Sequence, residues 1–457
     1  MPGIDDAGNE TIRAQDCAHV WHPMFQHRAL EDRDLMVVRE AKGTTVIDGE
    51  GRSYLDAYAG LWNVNVGYGR EEIADAVSAQ MKQLSYFPHV HVNAPAAKLA
   101  ARLAEILPGD LGHIYFCNSG SEANETALKI VRQYGRQTYP GENRYKVIAR
   151  YQGYHGWTYG ALSATGQAPR RAKFEPLTPG FMHVDPPYCY RCPLKLTHPA
   201  CGTACAEEVE EVIVREGPET VIAVIAEPII GGGGVIVPPD DYLPRLREIC
   251  DRYGLLLILD EVITGFGRTG KLFASEHWGV APDVMTLAKG VTSGYLPLGA
   301  CAVTQKVFDA FLGAPEEGVE FSQVVTYGGH PVCCAAALAN IEILMRERLW
   351  ENSARVGAYL LDRLRDLDAP FVGDVRGKGL MIAVELVDSD GAFLDAERTG
   401  LAQAQMREAG VLVGRMSHVL AGPESVFFLS PPLILTEAEA DRIAEAFRAG
   451  LARIAAT

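Results

Sequence analysis

The hydrophobic positions of the chain fall into short apolar runs that are separated by helical or polar segments. Several runs are apolar at nearly every position, which is typical of strands buried on both faces of a largely parallel sheet. Alternation of such strands with helices predicts an α/β fold. The predicted strands are HIYFCN (113–118), YKVIAR (145–150), VIAVIAE (221–227), LLLILDE (255–261), VMTLAK (284–289) and GACAVT (299–304).

Outside this central region the pattern changes. Residues 44–60 hold two short apolar segments around a Gly-Glu-Gly turn, which predicts a hairpin. Apolar residues recur at helical spacing over 70–84, 94–107 and 331–345. The C-terminal region is predicted to contain a helix near 352–366, strands at 379–386 and 425–433, and a helix that begins near Glu437.

Length and charge narrow the class of protein. A chain of 457 residues, 48% of them hydrophobic, is longer than one core usually serves, which predicts two or three compact units. The net charge of −16 argues against nucleic acid or an anionic membrane as a partner. The first twenty residues contain acids and no apolar segment, and no apolar run approaches the roughly twenty residues that span a bilayer. We therefore expect a cytoplasmic protein without a secretory signal.

Four of the ten cysteines form the pattern C-x2-C-x8-C-x3-C. Four thiolates within one loop could bind a structural zinc ion. The middle spacing is shorter than in common zinc ribbons, and free or paired cysteines in an insertion are the favoured alternative. No metal is expected in the active site, and zinc in this loop stays open. The four residues are Cys189, Cys192, Cys201 and Cys205.

Two charged residues stand at the ends of predicted buried strands. Lys289 follows an apolar run and precedes a glycine, a setting in which burial can lower the lysine pKa and create a nucleophile. Asp260 ends the most apolar strand, where a carboxylate is costly unless it meets a cation or several donors. Ligands of open α/β sheets bind at such strand ends. Taken singly, a solvated lysine and a turn-capping aspartate are the simpler interpretations.

A third feature is the segment CNSGSEANETALKI, residues 117–130. A strand ends here, a Ser-Gly-Ser turn follows and a helix begins, so that backbone N–H groups form an anion site. An ordinary helix cap at Ser119 or Ser121 is the alternative. An anion site, a buried carboxylate and a strand-end lysine are together the three parts that pyridoxal 5'-phosphate requires.

The motifs SGSEAN, YQGYHG, AEPI, LDEVITGFGRTG, LAKG and TYGGHP follow one another along the chain. Their order and approximate spacing resemble the class III aminotransferases of fold type I over nearly the whole length. The resemblance implies an α/β fold whose large domain, 61–330, has a mostly parallel seven-stranded sheet flanked by helices. It implies a smaller α+β domain, 331–457, which the N-terminal segment 1–60 joins, and pyridoxal 5'-phosphate as the cofactor.

The resemblance also implies roles for single residues. Lys289 is expected to bond to the cofactor and to move a proton between substrate and cofactor as the catalytic acid and base. Asp260 is expected to pair with the ring nitrogen and keep it protonated. The other implied cofactor contacts are Gly120 and Ser121 at the phosphate, Tyr154 and Val262 on the two ring faces, Glu227 near cofactor and substrate, and Thr326 at the phosphate of the neighbouring subunit.

The expected partners are small molecules and a second copy of the chain. The role of Thr326 implies a homodimer with shared active sites, and pairing of dimers into a tetramer is left open. Trp62 and the segment around Met24 match substrate-pocket positions of related enzymes. Arg415 lies near the place of a carboxylate-binding arginine, although Gly414 occupies the commoner position. A guanidinium suits a carboxylate or sulfonate, and a solvated surface arginine is the alternative.

Three segments resemble most the taurine–pyruvate and omega-amino-acid–pyruvate branch of the family: SYFPHVHVNAPAAKLAARL, CYRCPLKLTHPACGTAC and GVTSGYLP. The predicted function is a ping-pong transamination from an omega-amino acid or amine, taurine-like or β-alanine-like, to pyruvate. Lyases that use the same cofactor pass through carbanions similar to those of transamination. The main alternative is therefore a class III-like lyase that acts on an amino-alcohol phosphate or a hydroxy-aminophosphonate.

Overall fold

The computed structural model describes residues 8–24, 26–29, 35–367, 369–416 and 424–456. The helices are α1 (Asn9–His19), α2 (Ala59–Trp62), α3 (Glu71–Gln83), α4 (Ala94–Ile106), α5 (Gly120–Thr138), α6 (Tyr159–Ala164), α7 (Ala168–Arg171), α8 (Ala204–Glu216), α9 (Tyr242–Tyr253), α10 (Gln305–Asp309), α11 (Pro331–Arg346), α12 (Leu349–Arg365), α13 (Ala396–Glu408) and α14 (Glu437–Ala455).

The strands are β1 (Val38–Lys42), β2 (Thr45–Asp48), β3 (Ser53–Asp56), β4 (His113–Cys117), β5 (Lys146–Arg150), β6 (Phe181–Val184), β7 (Val221–Ala226), β8 (Leu256–Asp260), β9 (Val284–Leu287), β10 (Gly299–Val303), β11 (Val372–Lys378), β12 (Met381–Leu386), β13 (Val411–Leu412), β14 (Gly414–Arg415) and β15 (Val426–Leu429). They form three sheets. The order in the largest, a seven-stranded sheet, is β4-β10-β9-β8-β7-β5-β6.

The central sheet is parallel except at β10, which runs antiparallel to both of its neighbours. Every residue of β7, β8, β9 and β10 is buried, as the continuous apolar runs predict. Helix α5 covers one face of the sheet, and helices α8 and α9 cover the other. Because parallel strands share one carboxyl-end edge, Asp260 and Lys289 are carried to the same side of the sheet.

The two smaller sheets contain the terminal parts of the chain. The sheet β1-β2-β3-β13 joins the predicted N-terminal hairpin to a strand near the C-terminus, with Val411 opposite Leu55 in parallel register. The sheet β11-β12-β15-β14 is antiparallel throughout and packs against α12. We propose that these sheets and their helices form the smaller domain, with boundaries near residues 60 and 330. Limited proteolysis that releases no fragment near residue 330 would argue against that boundary.

A buried arginine from the LDEVITGFGRTG motif connects distant segments. The Arg268 guanidinium donates to the carbonyl of Leu380 at 3.1 Å and to the Asn65 side-chain oxygen at 2.7 Å. Its Nη1 also donates to the carbonyl of Pro431. Burial lowers the pKa of Arg268 to about 9, an effect that the charge of Asp56 opposes. This side chain therefore holds the loop after β8 against both the N-terminal and the C-terminal segments.

The α/β fold with a mostly parallel seven-stranded sheet is confirmed, and the predicted strands and long helices lie within a few residues of their observed bounds. Strand β6 was not among the six strands that were predicted individually. Its sequence FMHV is short, and its first three residues are only half-buried, so its apolar signal is weak. Among the described residues, no helix is long and apolar enough to cross a membrane.

Candidate active site

Lys289 begins a short 3-10 turn, Lys289–Val291, directly after strand β9. Its backbone has φ of +46°, in the left-handed region that costs a residue other than glycine roughly 1–3 kcal/mol. The Asn340 side chain on α11 holds the turn by donating to the carbonyls of Gly290 and Val291, both at 2.9 Å. Ser293 in turn donates to Asn340 at 2.6 Å. Helix α11 thus fixes the direction of the lysine.

The Lys289 amine stands between a cavity and buried acids. Desolvation lowers the lysine pKa below 10.5, and the charges of Asp260 and Glu227 partly oppose this shift. A lowered pKa means that a larger fraction of the amine is neutral, and therefore nucleophilic, at a given pH. The environment thus suits a lysine that must attack a carbonyl and later exchange a proton.

Asp260, the last residue of β8, is surrounded by hydrogen-bond donors. Its Oδ2 accepts from Asn124 Nδ2 at 2.7 Å and from His155 Nδ1 at 2.8 Å, and its Oδ1 accepts from the backbone N–H of Val262 at 3.1 Å. Thr286 donates to the Asn124 side-chain oxygen at 2.8 Å and so fixes the orientation of that amide. A carboxylate has about four acceptor positions. One position, on Oδ1, remains for a further donor.

Glu227 is a second buried acid, after the end of β7. Its carboxylate accepts the backbone N–H of Tyr154 at 3.0 Å and that of Gly231 at 2.8 Å. Desolvation raises the pKa of Glu227, and the nearby His155 acts in the opposite direction. Glu227 therefore connects the loop that contains Tyr154 to the glycine-rich loop at residues 231–234.

The N-terminus of α5 has the features of an anion cradle. Ser119 caps the helix by accepting the N–H of Glu122 at 3.2 Å. Ser121 Oγ accepts the N–H of Trp157 at 3.2 Å, which ties the helix start to the loop after β5. A Cβ on Gly120 would lie 2.8 Å from Val262 Cγ1, so only glycine lets these two segments approach. The helix dipole and free N–H groups favour a phosphate here.

A cavity of about 820 Å³ opens in front of Lys289. The structure places four other predicted residues on its wall, namely Met24, Trp62, Tyr154 and Arg415. Trp62 has a left-handed backbone (φ +66°) and stacks on Phe428 with ring centroids 4.5 Å apart. Gly120, Ser121, Val262, Glu227 and Asp260 do not line this cavity.

Thr326 lies elsewhere. It is exposed and lines a separate cavity of about 480 Å³ next to the α5 residues Glu122 and Glu125. Within the single chain, Thr326 is therefore not brought to the Lys289 cavity.

These residues fit pyridoxal 5'-phosphate. The α5 N-terminus offers an anion site, Asp260 keeps one acceptor position open, and Lys289 provides an amine with a lowered pKa. The buried His155 Nε2 has no hydrogen-bond partner among the described residues. This orphaned atom beside Asp260 is consistent with a pocket that is completed by a bound polar group.

Several contributing residues were not identified from the sequence. Asn124 lies in the SGSEAN motif and His155 in the YQGYHG motif, so both belong to segments that the sequence had marked as functional. Their contact with Asp260 could not be predicted, because it forms only when three separate chain segments meet. Arg170 has no such signal, because it belongs to no recognised motif. It lines the cavity and lies over the Tyr154 ring, with Cζ 5.0 Å from the ring centroid.

The cysteine loop lies apart from this site. Its four cysteines are free thiols that line a narrow cavity together with His198. In the described part of the chain, no group of three or more His, Cys, Asp or Glu side chains is arranged to hold a metal ion.

Comparison with known proteins identifies the family. The profile described as Aminotransferase class-III matches residues 28–451. An uncharacterised aminotransferase of Bacillus subtilis is 47% identical over 94% of each chain, and a taurine–pyruvate aminotransferase of Bilophila wadsworthia is 43% identical over 94% of each. The structure of an (S)-enantioselective omega-transaminase from Thermomicrobium roseum superposes with a TM-score of 0.92, at 43% identity over 98% of this chain and 99% of the other. The chain belongs to the class III aminotransferases, enzymes that depend on pyridoxal 5'-phosphate.

Proposed function

We propose that this enzyme transfers the amino group of an omega-amino acid, taurine-like or β-alanine-like, to pyruvate in a ping-pong reaction. The observation that carries the proposal is the Lys289 cavity, whose wall combines aromatic side chains with the guanidinium groups of Arg170 and Arg415. Cations in the same cavity as a reactive amine suit a donor with an acidic tail and a 2-oxo acid acceptor. Relatives named as taurine–pyruvate and putrescine–pyruvate aminotransferases support transamination over the lyase alternative.

The chain's own residues divide the work of both half-reactions. Pyridoxal 5'-phosphate, when bound, supplies the electron sink for a carbanion at the substrate carbon. We propose that Asp260 holds the ring nitrogen protonated with its open acceptor position, while Asn124 and His155 keep the carboxylate in place. Lys289 removes the proton from the substrate carbon and returns one to the cofactor side. Desolvation lowers the pKa of the Lys289 amine, which increases the fraction that would be neutral and able to accept this proton.

The remaining site residues are proposed in supporting roles. Gly120 and Ser121 hold the phosphate, Val262 and Tyr154 contact the ring, and Glu227 fixes the Tyr154 loop. Trp62 and Met24 shape the substrate side of the cavity, and Arg415 lies on the same wall.

The experiment that tests this function is a panel of amine donors with and without pyruvate. Taurine, β-alanine and a neutral alkylamine are incubated with the cofactor-loaded enzyme, and alanine and ammonia are measured. We expect alanine formation with the acidic donors and no sustained turnover in the absence of a 2-oxo acid. Continued turnover without pyruvate, with ammonia released, would support a lyase and contradict the proposal.

We also propose that the enzyme is a cytoplasmic homodimer with shared active sites, and that Thr326 contacts the phosphate in the neighbouring subunit. The exposure of Thr326, and of the apolar Val324 and Tyr327 beside it, supports this assignment. Thr326→Ala is expected to weaken cofactor retention roughly tenfold, because one hydrogen bond to a charged group is lost. Ser322→Ala, four residues away, serves as the control. A monomeric mass for the cofactor-loaded enzyme in sedimentation equilibrium would rule the dimer out.

A further inference from the structure

Three arginines among the described residues line the Lys289 cavity, and they differ in the contacts that their guanidinium groups already make. They are Arg170, Arg407 and Arg415. The inference developed here rests on the proposed function, because that function requires a cation for the acidic group of the substrate. Which arginine is available depends on its existing partners.

Arg415, the residue that the sequence suggests, is occupied. Its Nη2 lies 3.2 Å from the carboxylate of Glu424, and its Nη1 donates to Thr399 Oγ1 at 2.9 Å. A third contact joins Nη1 to the carbonyl of Ala396 at 3.3 Å. An anionic substrate can pair with Arg415 only by competing with Glu424, which would then lie near the substrate as a like charge.

Arg407 lies in the last turn of α13. A cation at this place is stabilised by the partial negative charge of the helix C-terminus. It shares one helix face with Gly400 and Gln403, which form the same side of the cavity. In the part of the chain that the structure describes, Arg407 has no carboxylate within ion-pair distance, but no contact fixes its guanidinium beside the residues assigned to the cofactor.

Arg170 differs from both. Its guanidinium lies over the ring of Tyr154, 5.0 Å from the centroid, and its Nε donates to Gln167 Oε1 at 2.6 Å. Gln167 is fully buried and donates in turn to the carbonyl of Gln152 at 2.9 Å. These contacts fix the plane of the guanidinium and use its Nε. Among the described residues, its Nη1 meets only the thioether sulfur of Met24 at 3.3 Å, and sulfur is a weak acceptor.

The charge of Arg170 is also uncompensated. Within the described ranges, no carboxylate lies within ion-pair distance of this side chain, in contrast to Arg415. Desolvation lowers the pKa of Arg170 below its ordinary value, with a smaller opposite effect from Tyr154. A cation held partly out of water without an acidic partner is costly, and a bound anion removes that cost.

We propose that Arg170 is the anchor for the anionic group of the substrate, a carboxylate or a sulfonate. Its two Nη groups form the planar fork that binds two oxygens of such a group at once. Tyr154 places this fork beside the cofactor face, and the flexible Met24 side chain is displaced when the anion binds. Arg415, paired with Glu424, then contributes less to the recognition of the donor.

The test separates the donor from the acceptor by following the first half-reaction alone. Holoenzyme is mixed with an amine donor, and the change in cofactor absorbance is recorded as a function of donor concentration. Arg170→Met, which keeps the length and the packing on Tyr154, is compared with Arg415→Met and Arg407→Met. Taurine and β-alanine are the acidic donors, and butylamine, whose tail carries no charged group, is the neutral-tail donor.

We expect Arg170→Met to lower the second-order rate constant of the first half-reaction with the acidic donors by roughly 10- to 100-fold more than with butylamine, since a charge-assisted bidentate contact is lost. Arg415→Met and Arg407→Met should change this ratio by less than about threefold. Arg170→Lys should recover part of the loss. An equal fall for all donors, or a larger selective loss in Arg415→Met or Arg407→Met, overturns the proposal.

A neighbouring arginine provides the matched control. Arg171 belongs to the same short helix but contacts the carbonyl of Thr165 at 3.3 Å and lies 3.8 Å from Glu175, away from the cavity. Arg171→Met should leave the ratio between acidic and neutral donors unchanged. Thermal unfolding and cofactor absorbance of each variant show whether the fold and the cofactor site are intact.

Equilibrium binding gives a readout that does not depend on turnover. Isethionate carries a sulfonate but no amine, so its binding to the holoenzyme by calorimetry reports the anion site alone. We expect Arg170→Met to raise the Kd for isethionate by roughly tenfold or more. An unchanged Kd for isethionate in Arg170→Met would refute the proposal that Arg170 binds the anionic group. If no donor reacts with the wild-type enzyme, the proposed function fails, and isethionate binding still decides the role of Arg170.

Discussion

Lys289→Ala is expected to abolish transamination, with a fall in rate of roughly 10⁴-fold or more, because the nucleophile and the proton-transfer group are the same side chain. Lys289 is the one lysine among the described residues that line its cavity. We expect that treatment of the purified variant with borohydride attaches no cofactor covalently to the protein. The measurements are the first half-reaction and the mass of the borohydride-treated protein.

The control for this variant is Lys271→Ala, since Lys271 is an exposed lysine from the same segment of the chain. It should retain wild-type activity and a covalently fixed cofactor. If borohydride attached the cofactor to another lysine of Lys289→Ala and the variant remained active, that other lysine would be the catalytic one.

Asp260→Asn is expected to lower the rate of the first half-reaction by roughly 10²- to 10³-fold, the size of effect seen when one preorganised charge partner is lost. The three neighbours of Asp260 all act as donors toward it, through Asn124, His155 and Val262. An asparagine amide therefore faces a donor whichever way it is oriented, and it cannot hold the ring nitrogen protonated. The substitution should also weaken cofactor binding.

Two readouts distinguish this effect from general damage. The cofactor Kd of the apoenzyme and the half-reaction rate at saturating cofactor are measured for Asp260→Asn and for the exposed control Asp251→Asn. The control should stay within about twofold of the wild type in both. A wild-type half-reaction rate in Asp260→Asn would mean that another group protonates the ring.

The sequence predicted the central architecture because its signal is local. Strands such as β7 are apolar at every position, and α5 begins at a serine cap, so the chain positions of these elements can be read directly. Strand β6, half-buried at its first three positions, carries no comparable signal. Residues that belong to a family motif, such as Lys289 and Asp260, could be named for the same reason.

The contacts that tune the site could not be predicted, because they join segments far apart in the chain. Asn340 orients the lysine turn from a helix that begins about forty residues later. The pairing of Arg415 with Glu424, and the absence of an acidic partner near Arg170 in the described structure, depend on how loops meet at the cavity. A sequence indicates which guanidinium groups exist, whereas only the fold shows which of them is already neutralised.

The parallel pairing of β3 with β13 has a consequence for synthesis of the chain. The paired residues Leu55 and Val411 are 356 positions apart (411 − 55), so one edge of the N-terminal sheet has no partner until most of the chain has been translated. At about 5–20 residues per second, this edge stays open for roughly 20–70 s on the ribosome. Unpaired strand edges favour intermolecular association. Truncated or stalled products that end before β13 are therefore the forms of this protein most prone to aggregate.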